Sequence, residues 1–117
     1  MILAVLDDLM FSSKIKTAAN QLGVDLRFSR SVDGALETMR KTPTAMVIFD
    51  LNSERIGPLA IVAAMKQDPA LASIPTVGFA SHVHTDVINA ARAAGVGEVL
   101  ARSAFAQQIG EILTRQS

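Results

Sequence analysis

The sequence predicts an open, doubly wound α/β sheet of five parallel strands in the order 2-1-3-4-5. Three observations lead there. Five short apolar runs recur along the 117 residues. A helical pattern follows each run. Three of the runs, ILAVL, AMVIF and TVGFA, are nearly unbroken apolar stretches, as expected of strands covered on both faces. Alternating β and α units of this length give a parallel sheet with helices on both sides. Right-handed crossovers leave few topologies for it. Five units are too few for an eight-fold barrel, and 117 residues make one domain, residues 1–117.

The strand runs are Ile2–Leu6, Val24–Phe28, Ala45–Phe49, Thr76–Ala80 and Val99–Ala101. The second alternates, with Val24, Leu26 and Phe28 set against Asp25 and Arg27, so it reads as a half-exposed edge strand. The first helix carries Phe11, Ile15, Ala18, Ala19 and Leu22 on one face and closes at Gly23. Ser31 is the expected N-cap of a second helix marked by Ala35, Leu36 and Met39. Leu59 to Met65 forms a third, which stops before Asp68-Pro69. Thr85 opens and Gly95 closes a fourth through Val87, Ala90, Ala91 and Ala94. Phe105, Ile109, Ile112 and Leu113 mark a single fifth helix capped by Ser103.

Composition narrows the function. Lys+Arg and Asp+Glu each number 11, so no global basic field attracts nucleic acid or an anionic membrane. Cysteine is absent, which removes disulfides, thiolate metal sites and a cysteine nucleophile and suits a reducing cytoplasm. The apolar stretch Ile2–Leu6 ends in Asp7-Asp8 and is too short for a signal-peptide core or a membrane span.

In open parallel sheets the ligand site lies at the carboxyl ends of the strands. Asp7 and Asp8 follow the first run, and Asp50 follows the third. Ser81 and His82 follow the fourth, and Arg102 and Ser103 end the fifth. Crowded carboxylates repel one another. A hard cation such as Mg²⁺ resolves that repulsion with oxygen ligands and neutralises charge during phosphoryl transfer. Arg102 is placed to pair with a phosphoryl group or with a free carboxylate. Simpler roles exist for the same residues: Asp7 or Asp8 as the N-cap of the first helix, and Asp50 as the start of a turn.

This constellation resembles the receiver domain of bacterial two-component response regulators. The resemblance rests on ILAVLDD, on VIFDL around Asp50, on KQDPALASIPTV, and on AAGVGEVLARSAF, and it runs along essentially the whole chain. It implies a flavodoxin-like (βα)5 fold, Asp50 as phosphoacceptor, and Asp7 and Asp8 with Asp50 around Mg²⁺. It also implies a histidine kinase or phosphotransfer protein as donor, and a downstream protein partner. A homodimer through the fourth helix, fifth strand and fifth helix follows by the same resemblance, with Ala90, Ala91, Ala94 and Ala101 offering a close-packing face.

The sequence departs from the family pattern at several positions. Ala80 stands where the family has Thr or Ser, with Ser81 one place later. Arg102-Ser103 replaces a Lys-Pro pair, and Arg is not equivalent to Lys at a site that pairs with anions. Val99 replaces the switch aromatic, and Asn52-Ser53-Glu54 follows where a Met-Pro is usual. The acidic triad is therefore intact while the response machinery is altered. The expectation is a signalling protein rather than an enzyme, with Arg102 and Ser81 contacting the phosphoryl group. The alternative is a phosphorylation-independent docking or dimerisation module.

Other features read more simply. His82 and His84 lack a third ligand and suit loop polarity better than a metal centre. Gly95-Val96-Gly97 follows a helix, whereas a dinucleotide fingerprint follows a strand. Arg27, Arg30, Arg40 and Lys41 form a local basic group of the kind that is usually a solvated face.

Overall fold

A computed structural model describes residues 1–81 and 84–115. Strands β1 (Ile2–Val5), β2 (Leu26–Ser29), β3 (Met46–Asp50), β4 (Thr76–Ala80) and β5 (Glu98–Ala101) form one sheet in the order β2-β1-β3-β4-β5. All four pairings are parallel. Helices α1 (Leu9–Leu22), α2 (Val32–Lys41), α3 (Pro58–Gln67), α4 (Thr85–Ala94), α5 (Arg102–Gln107) and α6 (Ile109–Thr114) connect or follow them. The register aligns Val5 with Phe49, Asp50 with Phe79, and Ala80 with Ala101. The carboxyl ends of four strands therefore share one rim.

Strand alternation builds two cores. Leu3, Val5, Val47, Phe49 and Ala80 face one side, against Leu36, Ile61, Val62, Met65 and Ala91 of α2, α3 and α4. Ile2, Ala4, Met46, Ile48, Val77 and Phe79 face the other, against Phe11 and Ile15 of α1, Phe105 of α5, and Ile109 and Ile112 of α6. Each fully buried side chain of this size contributes about 1.5–3 kcal/mol. Both faces of the central strands are thus covered, which is why their sequences show almost no polar alternation. Gly78 is required by close approach: a Cβ there would sit 2.7 Å from Leu51 Cδ1 and 2.9 Å from its Cγ.

Helix boundaries follow local chemistry. Asp8 accepts a hydrogen bond from Phe11 N at 3.0 Å and caps α1. Gly23 closes that helix with φ 68°, a conformation that favours glycine. Ser31 caps α2 by accepting from Gly34 N at 3.0 Å. Pro58 occupies the first turn of α3, where its missing N–H leaves no bond unmade.

Several sequence expectations are corrected. The second strand is Leu26–Ser29 rather than Val24–Phe28, because Val24 N is used to close α1 on Ala19 O at 2.9 Å. Phe28 is 37% exposed; Val24 and Leu26 are half-buried against the core on the α1 side, while Phe28 is left at the edge. The fourth helix, by contrast, opens at Thr85 and closes at Gly95 as expected, with His84 in the N-cap position. Ser103 lies inside α5, because β5 passes directly into the helix and Ala101 takes the cap position. The single fifth helix is two: Gln108 takes φ −109°, ψ 11° between them and its N–H is shared by Ala104 O and Phe105 O. Ala91 is fully buried and cannot belong to an exposed dimer face, although Ala90 is exposed and Ala94 and Ala101 are half-buried. Among the described residues no helix is long and apolar enough to cross a membrane.

Candidate functional site

Asp50 is the last residue of β3, with only 4% of its surface exposed. Its Oδ1 accepts a hydrogen bond from Asn52 N at 3.0 Å, so the expected turn does begin there. Its Oδ2 accepts from Arg102 Nη2 at 3.3 Å, and the same Nη2 donates to Asp8 Oδ2 at 3.4 Å. Burial pushes the Asp50 carboxyl above the usual carboxylate range. The Asn52 N–H and the Arg102 charge pull the other way, while Asp8 and Asp7 push it further up.

Asp8 has two tasks. One oxygen caps α1 and the other faces Arg102. Asp7 is turned to the β3–α3 loop, where its Oδ1 accepts from Ser53 Oγ at 2.8 Å. The sequence brought Asp7, Asp8 and Asp50 together as a ligand triad. The structure instead shows Asp8 and Asp50 bridged by a guanidinium and Asp7 held by a buried serine. Among the described residues no group of three or more His, Cys, Asp or Glu is disposed to hold a metal ion. The donors remain all-oxygen, which suits a hard divalent ion, and the guanidinium marks where a cation is stabilised.

Arg102 is fixed by packing as well as by charge. Its guanidinium carbon lies 4.9 Å from the Phe11 ring centroid and 5.6 Å from that of Phe79, within the range of cation–π attraction. Phe79 in turn stacks on Phe105 at 4.6 Å and meets Phe11 edge-on at 4.8 Å. Arg102 Nε is buried without a hydrogen-bond partner among the described residues. Beside it lies a cavity of about 400 Å³ lined by Phe11, Lys14, Ser81, Arg102, Ser103 and Ala106. Ser81 and Arg102 therefore border one space. Ala80 lies in the opposite core, fully buried, as neighbouring positions of a strand should be.

Asn52 ties two loops together. Its Oδ1 accepts from Ser81 N at 2.7 Å, and its Nδ2 lies 2.9 Å from His84 Nδ1. The loop after Asp50 is thus joined to the end of β4 and the start of α4. His84 serves this link; His82 lies outside the described residues. Sequence reasoning missed the roles of Asn52, Ser53, Phe11 and Phe79. An Asx-type turn at Asp50 was a usable signal for the position of Asn52. Ser53 meets Asp7 across 46 positions of chain, and no local pattern announces that contact.

No family model and no curated protein matches the chain. Solved structures do. A response regulator from Hahella chejuensis superposes with a TM-score of 0.84 at 20% identity, over 99% of this chain and 96% of that one. The chemotaxis response regulator CheY4 of Vibrio cholerae gives 0.82 at 16% identity, over 99% and 97%. The Mn²⁺-bound form of response regulator Rcp1 gives 0.80 at 20% identity, over 99% and 96%. With five parallel strands in the order 2-1-3-4-5 and an acidic rim at their carboxyl ends, the chain has the flavodoxin-like fold of response-regulator receiver domains.

Proposed function

We propose that this chain is a receiver-type signalling domain in which Asp50 accepts a phosphoryl group from a histidine kinase or phosphotransfer protein. The observation that supports it best is Asp50 itself: a buried carboxylate at the end of a central strand, facing a guanidinium at 3.3 Å, on a receiver fold. Burial favours the protonated acid, while Arg102 and the Asn52 N–H favour the ionised nucleophile.

In the transfer, an Asp50 oxygen attacks phosphorus and the P–N bond of a donor phosphohistidine breaks. Its electron pair leaves on the imidazole nitrogen. Arg102 is placed to pair with the arriving negative charge, and Ser81 borders the same space. Asp7, Asp8 and Asp50 would supply the oxygen donors for Mg²⁺ once Asp7 left Ser53 and Arg102 left the gap between Asp8 and Asp50, and the ion would offset charge on the phosphoryl group. The Mn²⁺-bound neighbour supports a divalent ion on this fold. Output passes to a protein partner in the cytoplasm, with a second copy of the chain meeting the α4–β5–α5 face as one form of that contact.

A second reading has its own support. Ala80 is fully buried and carries no hydroxyl to follow a phosphoryl group, and Val99 is no aromatic switch. Both favour a docking module that works without phosphorylation. Incubation with Mg²⁺ and acetyl phosphate, followed by intact-mass measurement, separates the readings. One phosphoryl adduct, lost in Asp50→Ala, supports the phosphoacceptor. No adduct on a folded chain supports the docking module.

A further inference from the structure

Arg27, Arg30, Arg40 and Lys41 form one basic group in the sequence and part company in the fold. Arg40 pairs with Asp68 and Lys41 with Glu37. Arg27 makes no ion pair among the described residues; its Nη1 donates to Thr42 Oγ1 at 3.3 Å. It lies on β2, which pairs with β1 and leaves its other side open. Ile2 N donates to Asp25 O, and Leu6 N to Ser29 O. In this parallel register Asp25, Arg27 and Ser29 therefore direct their backbone groups at β1. Leu26 and Phe28, one place out of phase, present N–H and C=O along the free edge. Their side chains border a groove of about 380 Å³ between β2 and α1, lined also by Lys16, Asn20 and Val24. Neither Leu9–Leu22 nor Leu26–Ser29 contains a carboxylate. Asp25 precedes the strand and does not line the groove. Lys16 makes no ion pair among the described residues either, so the edge carries one cation beside the groove and one on the opposite sheet face.

We propose that the β2 edge and its groove form a docking site for an extended acidic segment of a partner protein, added to the sheet as a sixth strand. The backbone groups of Leu26 and Phe28 supply its hydrogen bonds. An apolar side chain of the segment seats beside Phe28, which is 37% exposed. Its neighbours in the segment point to the other sheet face, where a carboxylate meets Arg27. A carboxylate two places along, back on the groove face, meets Lys16. Charge selects the occupant. A second copy docked edge to edge would set cation against cation, and a chain of zero formal charge lacks the extended basic surface that holds nucleic acid. The contact uses none of the residues around Asp50 and does not depend on phosphoryl transfer.

Amide hydrogen exchange of the whole chain, read residue by residue by NMR, tests it. The probe is a capped peptide, Asp-Glu-Ile-Glu-Asp, with Lys-Lys-Ile-Lys-Lys as its charge-reversed control. Saturating acidic peptide should slow exchange at the Leu26 and Phe28 N–H groups by about tenfold or more. Arg27 N–H, already bonded to β1, should not change, and the lysine peptide should not bind. Lys16→Glu and Arg27→Glu should each weaken binding by on the order of tenfold, and Phe28→Ala should weaken it as well. Protection at the core amide of Phe49 confirms that each variant is folded. Equal binding of the two peptides, no slowing at Leu26 and Phe28 with millimolar acidic peptide, or slowing that survives Lys16→Glu with Arg27→Glu would overturn the proposal. Protection of the same amides that rises with protein concentration alone would also overturn it, by assigning the edge to a second copy.

Discussion

Phe79 carries the aromatic stack beneath Arg102, so its truncation tests the link between packing and site. The side chain is fully buried and contacts both Phe105 and Phe11. Phe79→Ala removes a buried ring and leaves a cavity, a change that costs about 3–5 kcal/mol. At 0.05–0.15 kcal/mol per residue, a chain of 117 residues has roughly 6–18 kcal/mol in total. The variant should therefore fold with a much lower urea midpoint and an unchanged denaturant slope. Phe28→Ala is the matched control: the same chemistry at a ring 37% exposed on the edge strand should cost no more than about 1 kcal/mol. A double-mutant cycle of Phe79→Leu with Phe105→Leu should show a coupling of about 0.5–1.5 kcal/mol from the stacked pair. A loss below about 1 kcal/mol for Phe79→Ala, or equal losses for Phe79 and Phe28, would refute the packing assigned to this site.

Gly78→Ala should destabilise by about 1–3 kcal/mol, because the added methyl meets Leu51; Leu51→Ala in the same chain should relieve part of that overlap, and thermal melts read both. Asp50→Asn should raise the melting temperature at neutral pH. The folded-state pKa of Asp50 is raised above its unfolded value of 3.8, so the folded chain binds its proton more tightly than the unfolded chain does. This group's contribution to stability is therefore greatest below about pH 4 and is lost as pH rises through the folded value. The advantage of Asp50→Asn should accordingly shrink as pH falls toward 4, and a pH-independent difference would contradict the assigned burial effect. Millimolar Mg²⁺ should raise the melting temperature of wild type more than that of Asp8→Asn. Asn caps helices as well as Asp does, so that variant keeps α1 intact, and equal shifts would argue against Asp8 as a ligand.

Sheet order was legible because strands buried on both faces must read as unbroken apolar runs, and AMVIF and TVGFA do. The rim was legible for the same reason: Asp7-Asp8 stand where ILAVL stops and Asp50 where AMVIF stops. The reading of β2 as a half-exposed edge strand held, but alternation reports a face without reporting whether a helix covers all of it, and Phe28 stays exposed. Ser103 looked like a cap because it is a serine ahead of an apolar pattern, but β5 runs into α5 with no intervening loop, and Ala101 already holds the cap position. The division at Gln108 has no proline to announce it. At the site, residue types were legible and pairings were not. Asp7 could be placed on the rim, yet its bond to Ser53 depends on how the β3–α3 loop folds back. Arg102 could be placed at the end of β5, yet its seat against Phe11 and Phe79 depends on how α1 and α5 pack on one sheet face.

The most direct test of the central claim is chemical trapping of the acceptor. After incubation with Mg²⁺ and a phosphodonor, borohydride reduces an aspartyl phosphate to homoserine, and peptide mapping locates the converted residue. The account predicts conversion at Asp50 and at no other carboxylate, with none in Asp50→Asn. Conversion at Asp7 or Asp8, or an unconverted Asp50 in folded protein with Mg²⁺ present, would contradict it.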